Sequence, residues 1–195
     1  MRRYLLAALL ALLAAPALLA QQPTPPNSLL LVAKPSLLDP NFTRTVVLVT
    51  QAEDASTVGV ILNRPLQENL QAFLPQDLSG ANYKDRVFQG GPVMRRVVIS
   101  VFRSGAKPQG PAFPVLKGIY LTIHPVNIRA LLEDPASQYR LYVGFSGWAP
   151  NQLQSEFMRD GWYMLPADAE TVFRKDTEGM WEEMIRRATK PKPTT

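Results

Sequence analysis

The sequence predicts a single α+β domain, and two observations support that class. Strand-like apolar runs dominate the first part of the chain, whereas helical periodicity appears only between and after the later runs. Strands and helices do not alternate regularly, as they would in a doubly wound parallel sheet. The chain has 195 residues, and its predicted folded part, residues 28–189, is long enough for one sizeable hydrophobic core.

Six apolar runs are predicted to be strands because they are rich in β-branched, aromatic and leucine residues. They cover Leu29–Val32, Thr45–Thr50, Thr57–Leu62, Val97–Phe102, Ile119–Ile123 and Tyr139–Phe145. Most are almost continuously apolar, which indicates strands that are covered on both faces. The last run alternates apolar residues with Arg140, Tyr142 and Gly144, so we expect it to have a distinct outer face and to lie near a sheet edge.

Four helices are predicted in the second half of the chain. The first starts at Pro125, a residue tolerated in a first turn, and places Ile128, Leu131 and Leu132 on one face. The second runs from about Pro150 to a C-terminal cap at Gly161.

The remaining two helices are predicted from their caps, Asp168 for the third and Asp176 for the fourth. The fourth is amphipathic, and its expected core-facing residues are Met180, Trp181, Met184, Ile185 and Ala188. On this helix the spacing also sets Glu182 over Arg186 and Glu183 over Arg187.

Both ends of the chain are expected to lie outside the folded domain. Residues 1–20 join two arginines to an uncharged run rich in Leu and Ala, which is the layout of a signal peptide. Residues 21–27 are a Pro-rich linker, and residues 190–195 are expected to be a flexible tail. The sequence therefore predicts an exported protein, periplasmic or extracellular. The alternative is a domain anchored by residues 4–20, which would be its only membrane contact.

The composition argues against several function classes. The chain has no cysteine, so disulfides, thiolate chemistry and Cys-based metal sites are excluded. Its net charge is +5, but no basic run exceeds two residues, and such scattered charge argues against nucleic-acid binding. A single histidine cannot build a His-based metal site. We therefore expect neither a metal ion nor a cofactor.

No complete catalytic constellation can be read from the sequence. His124 precedes a predicted helix, and we expect it to cap that helix or to face solvent. Gly144-Phe145-Ser146-Gly147-Trp148 is similar to a nucleophile elbow, but its second glycine stands one position too early for the G-x-S-x-G pattern. The alternative to a non-enzymatic protein is a hydrolase that uses Ser146 or a water activated near His124.

A more informative set of polar residues follows the ends of apolar strands. The set is Asp39, Asn41, Arg44, Asn63 and Arg64. An arginine held at a strand end can bind a carboxylate or phosphate, or it can tie down a loop, and loop-anchoring bonds are the commoner fate of such groups. The pair Gly90-Gly91 precedes another strand, and we expect a tight turn there.

Several blocks of the chain occur in an order that is specific in combination, although each block alone is weak. They are Leu31–Pro35, Asp39–Phe42, Arg44–Leu48, Gly59–Pro65, Gln89–Val93 and Gly144–Leu153. Together they span nearly the whole folded part and closely resemble the YqgE/AlgH family of bacterial proteins.

This resemblance implies an α+β fold with a small barrel-like mixed β-sheet surrounded by helices. It implies no specific activity, because the family is uncharacterised, although some members carry the label of transcriptional regulator. Family members often have histidines near the positions of Gln51 and Phe102, and alanine is usual at Ser146. These departures weaken a histidine-based or serine-based activity for this chain.

The sequence therefore favours a non-enzymatic binding or regulatory module of the cell envelope. We expect its partner to be an unidentified protein or a small anionic ligand. The candidate binding surface consists of Asp39, Asn41, Arg44, Asn63, Arg64, Gly90, Gly91, Trp148 and Gln152.

Overall fold

The computed structural model describes residues 28–52, 54–74 and 84–190. The predicted signal peptide, the Pro-rich linker and residues 191–195 of the predicted tail lie outside this part of the chain. The described residues form one α+β domain, which confirms the predicted class. Among them, no helix is long and apolar enough to cross a membrane.

Ten strands in the described part form one curved sheet. They are β1 (Leu29–Ala33), β2 (Val46–Gln51), β3 (Thr57–Ile61), β4 (Pro65–Asn69), β5 (Arg86–Gln89), β6 (Val93–Arg103), β7 (Phe113–Leu116), β8 (Ile119–Thr122), β9 (Tyr139–Trp148) and β10 (Trp162–Pro166). Their order is β10-β1-β2-β3-β9-β6-β8-β7, and β4 pairs with β5 as a branch from β9. Every pair is antiparallel except β5 with β9.

The sheet does not close into a barrel, so the barrel-like arrangement implied by the resemblance is wrong. The strands at the two ends of the order, β10 and β7, share no ladder within the described residues. Curvature brings β7 towards β2 instead, where the hydroxyl of Thr50 donates to the carbonyl of Pro114 at 3.4 Å. That contact is a side-chain bond, not a strand pairing, and the sheet remains open.

Helices cover parts of the sheet and do not surround it, which corrects the second part of that expectation. They are α1 (Pro125–Glu133), α2 (Gln152–Met158), α3 (Ala169–Phe173) and α4 (Met180–Thr189), with one 3-10 turn at Leu70–Ala72. Side chains of α3 and α4 pack on one face of β1, β2 and β3, and α2 packs on the opposite face.

Alternate residues of the first strands fill two separate cores, as expected for strands covered on both faces. Leu30 and Leu48 pack in the core that contains Met184 of α4. Leu31 and Val47 face the other way, into a core with Phe42 and the two tryptophans Trp148 and Trp162. Burial of each large aliphatic side chain stabilises the fold by about 1.5–3 kcal/mol.

The predicted helix caps are confirmed at one position and wrong at another. The carboxylate of Asp168 accepts from the backbone N–H of Thr171 at 2.7 Å, so it caps α3. Asp176 instead accepts from Glu178 within a turn, and α4 begins only after Gly179.

The predicted charge pairs along α4 are replaced by tertiary pairs. Glu182 binds Arg44, and Glu183 binds Arg174. Of the core-facing residues predicted for this helix, Met180 and Met184 are fully buried, and Trp181 and Ile185 pack against the same core.

The expectation that residues 139–145 lie near a sheet edge is wrong. Strand β9 occupies the middle of the sheet and pairs with β3 and β5 along one side and with β6 along the other. Arg140 and Tyr142, the polar residues of the alternation, are buried with their neighbours. The strand also continues past residue 145, where the predicted run ends, to Trp148.

Pairing on both sides of β9 forces the chain to cross it. Leu141 and Val143 pair with β5 on one side and with β6 on the other. The link between β5 and β6, residues 90–92, must therefore pass across β9. The pair Gly90-Gly91 makes this crossing, and the tight turn predicted there is wrong.

The crossing brings two backbones together more closely than a β-carbon allows. A methyl group on Gly90 would lie 2.1 Å from the carbonyl oxygen of Gly144, and one on Gly91 would lie 2.3 Å from the backbone of Phe145. Gly144 itself has φ +69° and faces the carbonyl oxygen of Gly91. Three glycines are thus required because the contact is between two main chains.

We predict that Gly91→Ala lowers the free energy of unfolding by about 2–4 kcal/mol, because the new methyl group would overlap a rigid backbone. Urea unfolding followed by tryptophan fluorescence measures this change. Gly105→Ala is the matched control, since a methyl group there meets no atom within 4 Å. Equal unfolding midpoints for the two variants would show that the crossing is not tightly packed.

Candidate functional site

The five predicted strand-end residues come together in the structure around the loop that joins β1 to β2. Arg64, which follows β3, donates to the carbonyls of Asn41 at 2.7 Å, Thr43 at 3.0 Å and Pro40 at 3.3 Å. One guanidinium thus binds three carbonyls within residues 40–43 of the loop, which is possible because its N–H groups form a rigid planar fork.

Arg64 keeps its charge while it performs this role. Burial lowers the pKa of Arg64, and the nearby carboxylate of Asp39 acts in the opposite direction. An arginine pKa begins so high that a lowered value still leaves the side chain protonated at neutral pH. The loop is therefore braced by charge-assisted bonds, which are stronger than those between neutral groups.

Side-chain amides and carboxylates complete the brace. Asp39 accepts from the backbone N–H of Asn41 at 2.8 Å, which closes an Asx turn. The amide of Asn63 accepts from the N–H of Val46 at 2.9 Å and donates to the carbonyl of Arg44 at 3.0 Å. In this way Asn63 supplies the hydrogen bonds that a further strand residue would supply.

Arg44 differs from the other four because its side chain reaches α4. It adopts a left-handed backbone conformation with φ 57°, forms an ion pair with Glu182 and lies 4.5 Å over the ring of Trp181. The indole of Trp181 donates to the carbonyl of Ala33 at 2.7 Å, so the start of α4 is tied to the end of β1. A groove of about 530 Å³ beside this contact is lined by Arg44, Asn63 and Thr177–Glu182.

The other four predicted residues belong to the supporting structure next to this loop. Gly90 and Gly91 form the crossing of β9. The ring of Trp148 is buried and stacks on Phe42 of the loop, with centroids 5.5 Å apart. Gln152 binds the backbone N–H of Ala149 at 3.1 Å. Phe42 therefore connects the loop to Trp148 through ring stacking.

A half-buried carboxylate, that of Glu156, organises the aromatic side chains beneath the loop. One oxygen of Glu156 accepts from the indole N–H of Trp148 at 3.1 Å and from that of Trp162 at 2.9 Å. The other oxygen accepts from Gln152 at 3.4 Å. Sequence reasoning did not identify Glu156, because an acid on an amphipathic helix gives no signal of two tryptophan partners.

The two residues of the hydrolase alternative lie far apart. Ser146 is fully buried within β9 and donates to the carbonyl of Gly90 at 3.1 Å. His124 stands at the N-cap position of α1, but its side chain makes no capping hydrogen bond, and its Nδ1 is buried against Gly110 without a hydrogen-bond partner among the described residues. Thr122, close to His124 in the chain, pairs with Ser100 of β6, and Ser100 pairs with Leu141 of β9. Leu141 lies roughly 16 Å along β9 from Ser146.

A second groove, of about 480 Å³, lies where the beginnings of β5 and β9 meet the end of α3. The sequence analysis missed this site. Its residues come from three distant parts of the chain, so no local pattern connects them. The alternation of residues 139–145 also predicted that Arg140 lies on the exposed face of its strand. Charged and aromatic groups line it: Asp85, Arg86, Phe88, Tyr139, Arg140, Phe173, Arg174 and Lys175.

Comparison with known proteins gives a consistent result at the level of sequence. Residues 30–192 match the DUF179 family, described as AlgH-like. A UPF0301 protein of Mycobacterium tuberculosis is 34% identical over 167 residues, which cover 83% of this chain and 82% of the relative. A UPF0301 protein of Streptomyces avermitilis is 33% identical over 163 residues, or 81% and 84% of the two chains. Neither name states an activity.

Two solved structures share the fold. The solution structure of the AlgH protein from Pseudomonas aeruginosa has a TM-score of 0.71 at 25% identity and covers 87% of this chain and 92% of its own. A crystal structure of a Corynebacterium diphtheriae protein has a TM-score of 0.67 at 22% identity, with 87% and 90% covered.

We predict that Arg64→Ala destabilises the domain by about 2–3 kcal/mol, because three loop carbonyls lose a charged donor. Hydrogen exchange should increase most in residues 37–44. Arg129→Ala, an exposed position on α1, is the control and should change stability by less than about 0.5 kcal/mol. Unchanged exchange in the loop of the Arg64 variant would show that the three bonds do not hold it.

Proposed function

The chain belongs to the AlgH-like family, and we propose that it acts as a non-enzymatic binding or regulatory module of the cell envelope. Its binding surface, in this proposal, is the β1–β2 loop with Arg44 and Trp181 beside it. The partner is a protein, which the loop meets through one apolar side chain flanked by charges.

The observation that carries this proposal is a rigid loop with an exposed apolar residue on it. Leu38 is 87% exposed, although it lies only two residues before Pro40, where the segment bound by Arg64 begins. A large apolar side chain fixed on a braced loop loses little conformational freedom when a partner covers it. A partner that offers a pocket of matching size would bury this side chain at the centre of the interface, where most binding energy arises.

Charged groups near Leu38 could provide specificity around that anchor. Asp39 and Arg44 are exposed on the same loop, and Glu182 lies next to Arg44 at the groove. Opposite charges at the rim of an interface favour the correct orientation of a partner more than they raise affinity. Ser146, the serine of the hydrolase alternative, is not available at this surface, since it is buried in the sheet. This arrangement favours binding over hydrolysis.

We predict that Leu38→Asp weakens partner binding by at least about tenfold, or 1.4 kcal/mol, without loss of thermal stability. The tagged full chain is cross-linked in its own organism and captured, and the amount of each co-purified protein is compared between variants by quantitative mass spectrometry. The Leu38 variant should fold normally because this side chain has few contacts to lose.

Val126→Asp provides the matched control, since Val126 is also an exposed apolar residue but lies on α1. A protein that is captured by wild type and by the Val126 variant, and lost with Leu38→Asp, supports the proposal. If every captured protein is retained by Leu38→Asp, the loop is not the binding surface.

We further propose that the domain works outside the cytoplasm, as the composition of residues 1–20 suggests. When cells express the full-length gene, fractionation should recover the protein from the periplasm or medium, with an N-terminus near Gln21 by mass spectrometry. Recovery with the membrane and an intact N-terminus would favour anchoring. Recovery of the intact chain from the cytoplasm would exclude export.

A further inference from the structure

The second groove carries an excess of positive charge. Four cationic residues line it, namely Arg86, Arg140, Arg174 and Lys175. Asp85 is the one carboxylate among its lining residues. Arg174 is already paired with Glu183, so two positive charges remain after both acids are counted. The surplus positive charge lies in a concave site with aromatic side chains on its walls, which favours binding of an anion.

Arg140 forms the floor of the groove and is the strongest single feature of the site. It is only 8% exposed, and its guanidinium donates to the carbonyls of Val172 at 2.9 Å and Leu62 at 3.0 Å. The group also lies 4.0 Å from the centroid of the Phe88 ring. No carboxylate lies within 4.0 Å of it in the described part of the chain.

The carbonyl and ring partners of the buried Arg140 guanidinium carry no net charge, so none of them neutralises it. Buried charges in proteins are normally paired with an opposite charge or bind an ion, because an unpaired one is costly to remove from water. The carbonyl at the end of α3 reduces this cost, since that end of a helix carries partial negative charge. It does not neutralise the arginine.

The rim of the groove adds cations that are free to rearrange. Arg86 and Lys175 are exposed, and neither has an ion pair among the described residues. Tyr139 and Phe173 are half-buried on the walls. The hydroxyl of Tyr139 donates to Asp85 at 3.4 Å, and burial raises the pKa of Tyr139 to about 12, so it stays protonated and uncharged.

We propose that this groove binds the phosphate group of a small phosphorylated molecule, with Arg140 below the phosphate, Arg86 and Lys175 at its sides, and an aromatic or planar part of the ligand against Phe173. A phosphate monoester carries close to two negative charges at neutral pH, which matches the surplus of the groove. A guanidinium group can donate two parallel hydrogen bonds to two oxygens of a phosphate. A monocarboxylate would leave one cation unpaired.

The test is isothermal titration of the full chain with phenyl phosphate, inorganic phosphate and benzoate. We expect phenyl phosphate to bind with a Kd of about 1 mM or tighter, and the other two probes to bind more weakly. Arg140→Gln is the obvious variant, but it removes a buried group from two carbonyls and would destabilise the fold. The test therefore uses substitutions of Arg86 and Lys175, which are exposed.

Arg86→Gln and Lys175→Gln should each weaken phenyl phosphate binding by about fivefold or more, whereas Lys117→Gln, an exposed control that loses the same charge on the β7–β8 turn, should not. Asp85→Asn should strengthen binding by about threefold or more, because it removes the acid that competes with the ligand. A misfolded variant cannot give that gain. Asp54→Asn, exposed on the β2–β3 turn, is its control.

Two results would overturn the proposal. The first is no binding of phenyl phosphate at about 10 mM. The second is equal affinity in the Arg86, Lys175 and Lys117 variants. If the first result is accompanied by retention on vesicles of phosphatidylcholine with phosphatidic acid, the ligand is a lipid headgroup. None of these outcomes depends on Leu38, so this site and the loop surface are tested separately.

Discussion

The contact between two main chains at Gly90, Gly91 and Gly144 is the constraint on which the rest of the domain depends. Residues 90–92 cross β9 so closely that a β-carbon on Gly90 or Gly91 would overlap the β9 backbone. This crossing allows β5 and β6 to lie on opposite sides of the same strand. Gly90 also accepts from the N–H of Ile61 at 2.9 Å and from the hydroxyl of Ser146. The crossing thereby fixes β3 against β9, and the position of β3 sets that of Arg64 and the loop it holds.

Both candidate sites follow from that placement of β3 and β9. Arg64 leaves the end of β3 towards the β1–β2 loop, and its bonds give the loop a fixed shape. Arg140 leaves the start of β9 on the side of α3 and binds the carbonyl of Leu62, the residue that follows β3. Two arginines thus bind main-chain carbonyls at the same end of β3. Arg64 holds a surface loop in place, whereas Arg140 carries a positive charge into the core, where no carboxylate of the described residues pairs with it.

The sequence allowed the continuous apolar strands and the strand-end cluster to be predicted, because local patterns determine both. Leu30 and Leu31 face opposite cores, as an unbroken apolar run implies. Strand β4 could not be predicted, because most of Pro65–Asn69 is exposed and carries no apolar alternation. The central position of β9 and the burial of Arg140 depend on pairings with β3, β5 and β6, and no local pattern reports such partners. The barrel was implied by the family resemblance and not by a local pattern, and the open strand order contradicts it.

The central position of β9 also determines when the sheet can assemble. Its residues, 139–148, come late in the chain, yet β3, β5 and β6 all pair with them. During synthesis the earlier strands therefore wait, with unpaired edges, until more than two thirds of the chain has emerged. A topology dominated by such distant pairings folds slowly. For this chain, the time between translation and closure of the sheet is the period in which a chaperone would protect it.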